Sequence, residues 1–121
     1  MTLEKRRILI IEDEHLIASD LADTLADLGA EVLLPMPTIE QVFRCLAAGR
    51  ERPDAAVIDV NLNGEASWPV VDQLVTSGVP VVLMTGYSMQ TIPTEYAHLP
   101  ILVKPSAMFR VTRLLEKLCC R

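Results

Sequence analysis

Short aliphatic runs alternate along this chain with longer stretches in which apolar residues recur every three or four positions. The runs predict β-strands near 6–12, 30–35, 54–59, 79–84 and 100–103. Each is apolar almost without interruption, which is the pattern of a strand covered on both faces rather than one. The intervening stretches read as helices. Over 14–28, Ile17, Leu21, Leu25 and Leu28 form one stripe, Asp20, Asp23 and Asp27 the opposite face, and Gly29 falls where a left-handed C-terminal cap belongs. A second helix opens with Thr38 and Gln41 at capping-box spacing and ends near Gly49, before Pro53.

A third helix is predicted between the Asn63–Gly64 turn and Ser77–Gly78. Its regular part starts near Trp68, because Pro69 is tolerated only in a first turn. Segment 86–99 contains Pro93 and has no clean apolar stripe, so it reads either as a short, irregular fourth helix or as a loop. The last helix, 106–119, has Met108, Val111, Leu114, Leu115 and Leu118 inward and Arg110, Arg113 and Lys117 outward.

Strand–helix alternation in 121 residues leaves room for one domain, here 1–121, and too little chain for a closed eight-stranded barrel. The expected fold class is α/β, a doubly wound five-stranded parallel sheet. Right-handed crossovers and a switch point beside the first strand predict the order 2-1-3-4-5.

Composition narrows the function. Half the residues are hydrophobic and only 4% aromatic, as an aliphatic two-faced sheet requires. A net charge of −5 argues against a nucleic-acid backbone as partner. No stretch reaches the roughly 18 apolar residues of a membrane span, and the first residues lack a signal-peptide pattern. Cys45, Cys119 and Cys120 have no metal-ligand spacing; Cys45 reads as a small core residue and the pair as the frayed end of the last helix. A reducing, cytoplasmic setting is expected.

The chemistry lies at the ends of the runs. ILIIED closes on Glu12 and Asp13, AAVID on Asp59, VVLMT on Thr85 and ILVK on Lys104. In a parallel sheet these ends share one edge, where ligands of open α/β sheets bind. With strands one and three as neighbours, Asp13 and Asp59 are brought together. Carboxylates this crowded need a compensating cation, and an all-oxygen donor set favours Mg2+ over zinc. Asp13 and Asp59 are the expected direct ligands, Glu12 reaches further, through water, and the Asn61 carbonyl supplies another oxygen. Asp59 is the candidate nucleophile toward phosphorus, with the Lys104 ammonium and the Thr85 hydroxyl placed for phosphoryl oxygens and Gly86 leaving the approach open.

IIEDE at 10–14, DVNLNG at 59–64, MTGY at 84–87 and VKPS at 103–106, in this order at strand ends, resemble the receiver domains of bacterial two-component response regulators. The likeness covers essentially the whole chain and implies the CheY-like, flavodoxin-like (βα)5 fold. It implies that Asp59 is the phosphoacceptor, Glu12 and Asp13 the acidic pair for magnesium, Thr85 the switch hydroxyl and Lys104 the phosphate-binding lysine. The Lys104–Pro105 bond is expected to be cis. The TGY sequence and PILVKP are similar to the atypical single-domain receivers of alphaproteobacteria. One position departs: three residues before the lysine the family is usually aromatic, and here Ile101 stands. In the family that aromatic rotates inward when the threonine moves toward the phosphate, and Tyr87, two residues after Thr85, is expected to take over part of this reporting role.

The expected function is that of a stand-alone receiver. It accepts a phosphoryl group from a phosphohistidine on a histidine kinase or a phosphotransfer protein and signals through protein contacts. It is a switch rather than a turnover enzyme. The same resemblance implies strand five and its flanking helices as the docking surface. The alternatives are a degenerate receiver acting as a docking module, a small magnesium phosphatase, and a flavin module of the same topology. Asn61 in place of a second acid argues against the phosphatase, and the acidic EDEH after the first strand against the flavin module.

Overall fold

Each predicted run becomes a strand in the computed structural model, which describes residues 3–36, 38–47, 52–62, 64–86, 92–103 and 108–119. The order is β1 (Arg7–Ile11), α1 (His15–Asp27), β2 (Glu31–Met36), α2 (Ile39–Ala47), β3 (Ala55–Asp59), β4 (Asn61–Leu62), β5 (Glu65–Ala66), α3 (Trp68–Thr76), β6 (Val81–Thr85), a 3-10 turn (Thr94–Tyr96), β7 (Ile101–Val103) and α4 (Met108–Cys119). Five strands form a parallel sheet in the order β2-β1-β3-β6-β7. Counting only the long parallel strands, this is the expected 2-1-3-4-5.

Alternation of side chains along each strand explains why the runs are apolar throughout. Leu9, Ile11, Ala56, Ile58, Val81 and Leu83 pack with Val42 of α2 and with Val70, Val71 and Leu74 of α3. Their neighbours Ile8, Ile10, Ala55, Val57, Val82 and Met84 point the other way, onto Leu21 and Leu25 of α1 and Val111 and Leu115 of α4. Successive strand residues face opposite sides, so both sides demand hydrocarbon. The charged stripes lie outward as expected, with Asp20, Asp23, Asp27, Arg110, Arg113 and Lys117 all exposed.

Local signals hold at the helix ends. Gly29 follows α1 at φ 91°, and the Gln41 N–H donates to Thr38 Oγ1 at 3.2 Å in the first turn of α2. Cys119 is not frayed: it sits in α4, buried against the second core. Two further elements were not anticipated. Where a plain turn was expected before α3, β4 and β5 pair antiparallel, closed by Gly64 at φ 86°. Its N–H donates to Asn61 Oδ1 at 2.7 Å. In 86–99, the described residues hold no α-helix, only the Thr94–Tyr96 turn.

Candidate functional site

The register of the sheet builds the site. Ile11 at the end of β1 pairs with Ile58, so Glu12 and Asp59 leave adjacent strands one step later. Asp59 pairs in turn with Met84, and Thr85 with Val103. Glu12, Asp59 and Thr85 are polar yet as buried as the core, at 2%, 5% and 7% exposure. Burial of a carboxylate is costly unless it is hydrogen-bonded. One oxygen of each acid is held in the same way. Glu12 Oε2 accepts the N–H of Glu14 at 3.0 Å, and Asp59 Oδ1 accepts the N–H of Asn61, also at 3.0 Å. Each strand thus turns back on its own terminal acid.

Carboxylate oxygens of Glu12, Glu14 and Asp59 lie within 4.8 Å of one another. Charges of one sign at this spacing repel strongly at low dielectric, and a hard divalent cation with oxygen ligands offsets that repulsion. Asp13 is half-buried beside them but is not one of the three, and Asn61 is exposed at the start of β4. Glu14 is the carboxylate that sequence reasoning missed. Its signal was its spacing: Glu14 sits on extended backbone, at φ −83° and ψ 107°, and residues two apart on such backbone share a side. Lys104, the Lys104–Pro105 bond and Tyr87 fall outside the described residues. Ile101, at the position of the expected aromatic, is half-buried and pairs with Leu83.

Trp68 at the start of α3 stacks on Tyr96, with ring centroids 4.5 Å apart and planes 6° from parallel. The Tyr96 hydroxyl donates to Asp72 Oδ1 at 2.5 Å. That bond first, then burial and the negative charges of Asp72 and Glu95, pushes the tyrosine up to about 12. α3 is thereby fastened to the stretch between β6 and β7. Among the described residues no helix is long and apolar enough to cross a membrane.

No protein-family model matches the chain, but known proteins do. The solution structure of SdrG from Sphingomonas melonis Fr1 superposes with a TM-score of 0.80 at 34% identity, covering 98% of each chain. The receiver domain of the sensor histidine kinase PA1611 from Pseudomonas aeruginosa PAO1, crystallised with magnesium in its active-site cleft, shares the fold. It gives a TM-score of 0.80 at 22% identity over 97% of this chain and 99% of that one. The Phyllosphere-induced regulator PhyR of Methylorubrum extorquens is 34% identical over 90 residues, 73% of this chain. The chain spans 33% of that regulator's length. Fold, buried acids at the strand ends and relatives agree, and the chain belongs to the receiver domains of response regulators.

Proposed function

We propose that this receiver takes a phosphoryl group from a phosphohistidine, on a histidine kinase or a histidine phosphotransfer protein, onto Asp59. The observation that carries the reading is the convergence of the buried Asp59 with Glu12 and Glu14 at the carboxyl edge of the sheet. An Asp59 carboxylate oxygen attacks phosphorus, the nitrogen–phosphorus bond breaks, and the imidazole leaves with the electron pair. The product is an acyl phosphate.

The donor set fits Mg2+, whose ligands are hard oxygens and which takes few protein carboxylates. Glu12, Asp13 and Asp59 with the Asn61 carbonyl are the proposed ligands, and Glu14 is a further carboxylate in reach. Magnesium when bound supplies neutralising charge to the phosphoryl oxygens. Thr85, one residue beyond the ladder partner of Asp59, offers a hydroxyl to another oxygen, and Lys104, next in the chain after Val103, an ammonium. Transfer of this kind needs alignment and charge neutralisation more than bond chemistry from the protein.

We read the domain as a switch rather than a turnover enzyme, acting in the cytoplasm through protein contacts. Val103 on β7 is 39% exposed, and Arg110 and Arg113 of α4 also face outward, side chains suited to a partner. A phosphohistidine-bearing donor tests the reading. Label is expected to move to the protein only with magnesium and to be released by hydroxylamine, which cleaves acyl phosphates. Label that resists hydroxylamine, or that appears on Asp59→Asn, contradicts it.

A further inference from the structure

The peptide unit joining Val60 to Asn61 has both of its polar groups engaged. Its N–H donates to Asp59 Oδ1 at 3.0 Å. Its carbonyl accepts twice from Ser67, from the N–H at 2.9 Å and from the hydroxyl at 3.2 Å. A peptide is planar and stiff, so the two sides cannot turn independently. Donors on the carbonyl also polarise the unit and strengthen donation by its N–H. The direction and strength of the bond that holds Asp59 therefore depend on Ser67.

Ser67 is itself held. It is fully buried, and its carbonyl receives the N–H groups of Val70 and Val71 at 3.0 and 3.1 Å. A serine at a helix N-cap ordinarily turns its hydroxyl onto the amides of the first turn. Ser67 caps α3 without any such side-chain bond, and its hydroxyl reaches back to Val60 instead. The next residue, Trp68, carries the stack on Tyr96, so the helix that anchors Ser67 is pinned at its own start.

We propose that Ser67 is a positioning residue for Asp59, acting through the Val60–Asn61 peptide, an inference that rests on Asp59 being the phosphoacceptor. Fixing one carboxylate oxygen sets the approach of the other to phosphorus, and reactivity falls steeply with misalignment. The experiment follows phosphorylation of the full chain by acetyl phosphate with magnesium, as an initial rate at saturating donor, together with the amide proton shift of Asn61. Ser67→Ala is expected to slow the reaction about three- to tenfold, the worth of one hydrogen bond, and to move the Asn61 amide proton to lower frequency. Ser67→Cys, nearly isosteric but a weak donor, is expected to do the same and serves if Ser67→Ala does not fold. Thr24→Ala, which removes a hydroxyl bonded to the Asp20 carbonyl inside α1, is expected to change neither. Wild-type rates in the Ser67 variants, or a rate loss with the Asn61 amide unmoved, overturn the proposal alone. A wild-type chain that takes no phosphoryl group overturns the functional reading and this inference with it.

Discussion

Glu12 and Asp59 owe their position to hydrocarbon: each follows a strand whose last residues lie in the core, and each is carried inside by it. Removing one charge from the set tests what that position is for. Glu12→Gln is expected to weaken magnesium or manganese binding by about tenfold, the scale on which ligand charge tunes affinity for hard cations. Titration calorimetry checks it, and unchanged affinity contradicts the proposed metal role. Tyr96 supplies a second test. Its hydroxyl keeps its proton to about 12 in the folded chain, against an ordinary 10.0. The folded state thus binds a proton that the unfolded state releases. The stabilisation is whole below the ordinary value and is lost as pH rises toward the raised one. Urea midpoints of the wild type are expected to fall across that window, and those of Tyr96→Phe to fall less.

The elements divide by how much their local sequence says. β1, β3 and β6 were legible because burial on both faces leaves an unbroken aliphatic run, and α1 because its stripe and Gly29 agree. Gly29→Ala is expected to destabilise the fold by about 1–2 kcal/mol, the cost of a left-handed L-residue, read by chemical denaturation. Thr38→Ala is expected to cost about 1 kcal/mol through the lost cap on α2. The β4–β5 hairpin was not legible, since strands of two residues carry no period; only its Gly64 turn showed. Nor was the fastening of α3. Trp68 and Tyr96 are distant in sequence, and Tyr96 lies where no apolar stripe pointed to packing. The site was legible in its strand ends and less so in its detail. Glu14 was hidden because three consecutive acids do not announce which of them come close to Asp59.

Across the whole molecule the sheet acts as a collector. Its parallel order delivers acids from β1 and β3 and a hydroxyl from β6 to one edge, while α3, through Ser67, reaches the peptide beside Asp59. The central claim is that this edge makes Asp59 a phosphoacceptor. Intact mass after incubation with acetyl phosphate, with and without magnesium, tests it most directly. The wild type is expected to gain the mass of one phosphoryl group only when magnesium is present, and Asp59→Asn to gain none. Equal gain in the variant, or none in the wild type with the metal supplied, contradicts the account.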